Sequence, residues 1–132
     1  MQNNDEVAGK KTIMVVDDEP DVLLSIVQIL EANDYSTIEA RDGYACLEKL
    51  KEEVPDLILL DIMMPGLTSM EILNSIAKDS RLAKIKIIFI TAVHSLEAEE
   101  EGLLTPNQVS DYIEKPFSVK RLLNAIQEAV ES

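Results

Sequence analysis

Four apolar runs in this chain each lead into polar residues suited to phosphate and metal chemistry. Ile13-Met14-Val15-Val16 runs into Asp17-Asp18, and Leu57-Ile58-Leu59-Leu60 runs into Asp61. Ile87-Ile88-Phe89-Ile90 ends on Thr91, and Tyr112-Ile113-Glu114 leads to Lys115-Pro116. Gathered in one crevice, these ends supply three carboxylates, a hydroxyl and an ammonium. Crowded carboxylates repel one another unless a cation intervenes. A donor set made only of oxygen points to Mg²⁺ or Mn²⁺ and away from zinc, which favours His and Cys. Such a site suits phosphate chemistry, and one carboxylate can itself attack phosphorus to give an aspartyl phosphate.

The elements that must position these residues follow from periodicity. Asp18-Glu19-Pro20 opens a helix carrying Val22, Ile26, Ile29 and Leu30 on one face, with carboxylates and a proline where the helix start favours them. Tyr35 to Ala40 is a short strand after the Asn33-Asp34 turn. Asp42 caps a second helix with apolar positions Ala45, Cys46, Leu47 and Leu50. Val54-Pro55-Asp56 ends it, and Met64-Pro65-Gly66 forms a turn after the run at 57–60. A third helix spans about Ser69 to Ala77, with Met70, Leu73, Ile76 and Ala77 inward. Residues 85–90 form a strand, and 95–104 an acidic helix that stops before Pro106. A strand lies near Asp111 to Glu114. A last helix from Ser118 carries Val119, Leu122, Leu123, Ile126 and Val130 at helical spacing.

Strands alternating with helices specify βαβ units and a parallel sheet. The runs at 13–16, 57–60 and 87–90 are apolar without alternation, as for strands covered on both faces. The expected fold is an α/β three-layer αβα sandwich, doubly wound and flavodoxin-like, with five parallel strands in the order 2-1-3-4-5. In such sheets ligands bind beyond the carboxyl ends of the strands, where strand order reverses. That point lies between the first and third strands, which end at Asp17-Asp18 and at Asp61. Asp61, alone on the central strand, is the best placed nucleophile. Lys115 is suited to neutralise phosphoryl oxygens, and Thr91 to donate a hydrogen bond to one of them.

Bulk properties narrow the partners. The 132 residues suit one domain, taken here as 12–132 behind a flexible tail at 1–11. The formal charge of −13 opposes direct binding to nucleic acid or to anionic membrane, since phosphate contacts need clustered Lys and Arg. No stretch approaches a membrane span, and the polar start has no signal-peptide core. A single cysteine, Cys46, fits a reducing cytosol and a cytoplasmic location, and reads as a small buried side chain.

Four motifs in order resemble the receiver domain of two-component response regulators. They are Val15-Val16-Asp17-Asp18-Glu19-Pro20, Leu59-Leu60-Asp61-Ile62-Met63-Met64-Pro65-Gly66, Ile90-Thr91-Ala92 and Asp111-Tyr112-Ile113-Glu114-Lys115-Pro116-Phe117. The resemblance covers about residues 12–131. It implies that Asp61 accepts a phosphoryl group from a sensor histidine kinase or phosphotransfer protein. It implies that Asp17, Asp18, Asp61 and the backbone carbonyl of Met63 hold Mg²⁺, and that Thr91 and Lys115 contact the phosphoryl group. Tyr112 is implied as an aromatic switch moving with Thr91, altering the face made by the fourth helix, fifth strand and fifth helix. Lys115-Pro116 is implied to be a cis peptide. A monomer or a weak phosphorylation-dependent dimer is expected, and no turnover of a separate substrate.

The chain departs from the family pattern in three places. Ser69 stands where glycine is common. Met63 and Val93 are apolar at positions that influence attacking water, which implies a long-lived phosphoryl state. Residues 102–108, Gly-Leu-Leu-Thr-Pro-Asn-Gln, replace the usual approach to the last strand, so the output face is unusual. Two other functions compete with the switch. One is an interaction module of the same fold that signals without phosphate, which Asp17, Asp18, Asp61, Thr91 and Lys115 argue against. The other is a Mg²⁺-dependent phosphohydrolase, whose haloacid-dehalogenase pattern needs an aspartate where Met63 stands. His94, the one histidine, reads as exposed, and Glu97 to Glu101 as a solvated helix face.

Overall fold

A computed structural model describes residues 10–92 and 108–131, with Thr91 described by its backbone. The helix expected at 95–104, Val93, His94 and most of the 1–11 tail lie outside the described residues. Strands β1 (Thr12–Val16), β2 (Ser36–Ala40), β3 (Leu57–Leu60), β4 (Lys86–Thr91) and β5 (Val109–Glu114) form one parallel sheet in the order β2-β1-β3-β4-β5. Helices α1 (Pro20–Ala32), α2 (Gly43–Leu50), α3 (Ser69–Ala77) and α4 (Val119–Glu131) cover it, with a short 3₁₀ turn at Ser80–Leu82. The expected strand order is the observed one.

Side-chain alternation along the strands explains the two helical layers. Met14, Val16, Ile58, Leu60, Ile87 and Phe89 face a core built with Cys46 and Leu50 of α2 and Ile72, Leu73 and Ile76 of α3. Ile13, Val15, Leu57, Leu59, Ile88 and Ile90 face the opposite core, with Leu23, Ile26, Val27 and Leu30 of α1 and Leu122, Ala125, Ile126 and Ala129 of α4. All four residues of β3 are buried, because successive side chains enter alternate cores. Each fully buried Leu or Ile contributes about 1.5–3 kcal/mol by leaving water. Cys46 is fully buried, and burial pushes its thiol up to about 12, which makes it a packing residue.

Three details differ from the sequence-based expectation. In α1, Leu23 and Val27 are buried whereas Val22 and Ile29 are only partly covered. In α3, Ile72 points inward, while Met70 is 36 % exposed and Ala77 is exposed. The stretch offers two rows at helical spacing, 69-72-73-76 and 70-73-76-77, and the docked helix buries the first. In β5, Ile87 pairs with Val109 but Ile88 pairs with Asp111, so Ser110 is an extra residue at a bulge. The bulge puts Val109 and Tyr112, three residues apart, against the same core.

Turn chemistry fixes how the helices enter. The Asp42 side chain accepts from the Ala45 N–H at 2.8 Å, capping α2 as expected. Thr68 and Glu71 form a reciprocal capping box at α3, with bonds of 3.1 and 2.9 Å. Gly66 has φ of +93°, a conformation that L side chains rarely adopt, and Asp34 turns at φ 68°.

Candidate functional site

The crevice is built by backbone pairing at the carboxyl ends of β1 and β3. Asp61 donates its N–H to the Val16 carbonyl at 3.0 Å, so the residue after β3 lies beside Asp17, the residue after β1. Asp17 in turn donates its N–H to the Ala40 carbonyl at 3.1 Å. Both carboxylates are buried, at 2 % and 4 % exposure. Each accepts a backbone bond from the residue two positions on: Asp17 Oδ1 from the Glu19 N–H and Asp61 Oδ1 from the Met63 N–H, both at 2.9 Å. These bonds orient the free oxygens of both groups toward the crevice.

Lys115 reaches that crevice from the end of β5. Its Nζ donates to Asp17 Oδ2 at 3.0 Å, to Glu19 Oε1 at 3.2 Å and to Asp61 Oδ2 at 3.3 Å. The Lys115–Pro116 peptide is cis. Burial works against the ammonium charge. The hydrogen bond to Asp17, the charges of Asp61 and Asp17, and a hydrogen bond to Glu19 outweigh it and hold Lys115 above the usual lysine range. Burial raises the Asp61 carboxyl above its usual range, aided by the charge of Asp17 and opposed by the Met63 bond and Lys115. Among the described residues the site therefore holds three negative groups against one positive one.

Carboxylate oxygens of Asp17, Glu19 and Asp61 lie within 4.8 Å of one another. Asp18 is exposed and lies outside this group, whose third member is Glu19. Glu19 is the residue at the start of α1, but its side chain makes no capping bond there and turns to Lys115. A carboxylate at a helix start needs no distant partner, so the sequence position of Glu19 does not by itself place it in the crevice. Oxygen donors with excess negative charge fit a small divalent cation, which would share the charge balance that Lys115 supplies among the described residues.

The remaining expected residues are spread around this core. Thr91 ends β4, its backbone paired with Glu114, which directly precedes Lys115. Tyr112 is half-buried on β5, in register with Phe89 and packed against the α2–α3 core. Met63 is 62 % exposed at the mouth, with its N–H bound to Asp61.

A family model described as the response regulator receiver domain matches residues 13–127. The chain belongs to that family. It is 35 % identical over 117 residues to the phosphate regulon transcriptional regulatory protein PhoB of Escherichia coli, covering 89 % of this chain and 50 % of that protein. It is 32 % identical to the polar-differentiation response regulator DivK of Brucella anthropi, covering 89 % of this chain and 94 % of that protein. The chain thus spans about half the length of the PhoB relatives and nearly all of DivK. A solved CheY-like receiver domain protein from Methanospirillum hungatei JF-1 superposes with a TM-score of 0.81 at 31 % identity, covering 93 % of this chain and 95 % of that one. This receiver domain carries the acidic pocket of Asp17, Glu19 and Asp61 with Lys115 among them. Among the described residues no helix is long and apolar enough to cross a membrane.

Proposed function

We propose that the domain is a phosphorylation-driven switch in which Asp61 accepts a phosphoryl group from a histidine kinase or phosphotransfer protein. An Asp61 carboxylate oxygen attacks phosphorus, the bond between phosphorus and the donor's imidazole nitrogen breaks, and an aspartyl phosphate forms. The observation that carries this reading is the buried Asp61, held through one oxygen by the Met63 N–H and presenting the other to Lys115. Lys115 then neutralises phosphoryl oxygens, and Thr91 donates a hydrogen bond to another of them. Asp17, Asp18 and Asp61, with the Met63 carbonyl, would hold Mg²⁺, with Mn²⁺ as a substitute. When bound, the cation offsets the charge that builds up on the transferring group. The domain acts on itself and turns over no separate substrate.

The switch follows from the charge that arrives. A phosphoryl group adds roughly −1.5 to −2 charge and three acceptor oxygens. An inward turn of Tyr112, coupled to the Thr91 hydrogen bond, would remodel the face formed by β5 and α4. Two packings separated by a few kcal/mol suffice. A protein donor is supported by an apolar groove of about 550 Å³ adjoining Lys115, lined by Val22, Ile26 and Ile29 of α1 and by Pro116, Phe117 and Val119. Incubation with Mg²⁺ and acetyl phosphate, followed by intact mass, tests the reading. One phosphoryl group should be gained, and the gain should vanish in Asp61→Asn. No gain by the wild type returns the domain to a phosphate-independent interaction module.

A further inference from the structure

The loop that follows Asp61 has a support outside the crevice. Met63 donates its N–H to Asp61 Oδ1, and the loop's far end is tied down by the Thr68–Glu71 capping box. Between these anchors lies Gly66 at φ +93°. Tyr44, in the first turn of α2, lies against that glycine. A Cβ placed on Gly66 would sit 3.3 Å from Tyr44 Cε2 and 3.8 Å from Cδ2, so the ring edge occupies the space that the missing side chain leaves. Next to it, a Cβ on Gly43 would meet Leu67 Cβ and Ile72 Cδ1 at 2.9 Å, so the α2 backbone itself is pressed against the end of the loop.

Tyr44 is otherwise out of place. It is 61 % exposed, so burial in the core does not account for an aromatic ring at this position. Its backbone is held by the Asp42 cap on the Ala45 N–H, which gives the ring a fixed base. An aromatic side chain has only two torsions to order, so it is an inexpensive brace for a turn. We propose that Tyr44 is a positioning residue for the phosphoryl site, bracing the Met63–Leu67 loop so that Met63 stays aligned on Asp61. The inference rests on the phosphoryl-acceptor reading for its effect on rate, but not for its effect on the loop.

The test compares wild type, Tyr44→Ala and Tyr44→Phe. Amide hydrogen exchange at Met63 in metal-free protein reads the loop, calorimetric titration with Mg²⁺ alone reads the site, and acetyl phosphate labelling reads the rate. Tyr44→Ala should speed Met63 exchange, weaken Mg²⁺ binding and slow labelling by about 10-fold, since misplacing a reacting group by about 1 Å can cost up to 10²-fold. Its melting temperature should stay near wild type, because the ring is mostly in water. Tyr44→Phe should match wild type on all three readings. Unchanged Met63 exchange and Mg²⁺ affinity in Tyr44→Ala overturns the brace, and so does a Tyr44→Phe variant as impaired as Tyr44→Ala. If wild type takes no phosphoryl group, the functional reading fails, while exchange and Mg²⁺ binding still decide the role of Tyr44.

Discussion

Replacing Lys115 by methionine removes the ammonium that Asp17, Glu19 and Asp61 share at 3.0–3.3 Å, while keeping much of the aliphatic stem. Deleting one partner of a buried ion pair costs about 3–5 kcal/mol, because the remaining charges stay buried without compensation. Asp17 and Asp61 are almost fully covered, but Lys115 is 17 % exposed and Glu19 is 61 % exposed. Water therefore reaches one side of the cluster, and the lower end, about 3 kcal/mol, applies. For a domain of this size that lowers Tm by about 10 °C. The same substitution leaves a more negative pocket, so Mg²⁺ should bind the variant more tightly than it binds wild type. At 100 times Kd a ligand adds about 2.7 kcal/mol, and because wild type binds more weakly and gains less at the same Mg²⁺ concentration, the deficit should narrow. Urea unfolding followed by circular dichroism, with and without Mg²⁺, reads both effects. A Lys115→Met variant as stable as wild type without Mg²⁺, or one whose full deficit persists in saturating Mg²⁺, would mean that Lys115 does not offset the charge of Asp17 and Asp61.

Three further outcomes follow from the same geometry. Burial raises the Asp61 carboxyl above its ordinary value of 3.8, so the folded chain binds this proton more tightly than the unfolded chain does. Stability from this group is therefore present below the unfolded value and falls as pH rises toward the raised folded one. Asp61→Asn should be the more stable protein at neutral pH without Mg²⁺, by thermal melting across pH, and equal or lower stability would contradict the electrostatic account. Thr68→Ala removes the acceptor of the capping box at α3 and should cost about 0.5–2 kcal/mol in denaturant midpoint terms, with no change in m value. An unaffected midpoint would mean that tertiary packing alone sets the start of α3. Met63→Asn places a polar group at the 62 % exposed mouth of the site and should shorten the lifetime of the aspartyl phosphate in a decay assay. An unchanged lifetime would remove Met63 from control of attacking water.

Much of the site was legible because it depends on backbone order. Unalternating runs at 13–16, 57–60 and 87–90 required a sheet covered on both faces, and the reversal of strand order put Asp17 beside Asp61. What escaped depends on side chains that meet across long separations. Glu19 looked like a dipole-matched helix start, and only its contact with Lys115, 96 residues away, takes it into the crevice. The inward face of α3 was ambiguous because two rows of residues satisfy helical spacing, and docking against α2 at Gly43 chose Ile72 over Met70. Neither the bulge at Ser110 nor the seat of Tyr44 on Gly66 has a local sequence signal, since each is defined by a neighbouring element.

Reductive trapping tests directly whether Asp61 itself carries the phosphoryl group. Borohydride converts an aspartyl phosphate to homoserine, leaving unmodified carboxylates untouched. After incubation with Mg²⁺ and acetyl phosphate, reduction and proteolysis, the peptide containing residue 61 should carry homoserine at that position. Trapping at Asp17 or Asp18 instead, or no homoserine in a protein that has gained phosphate, would contradict the account.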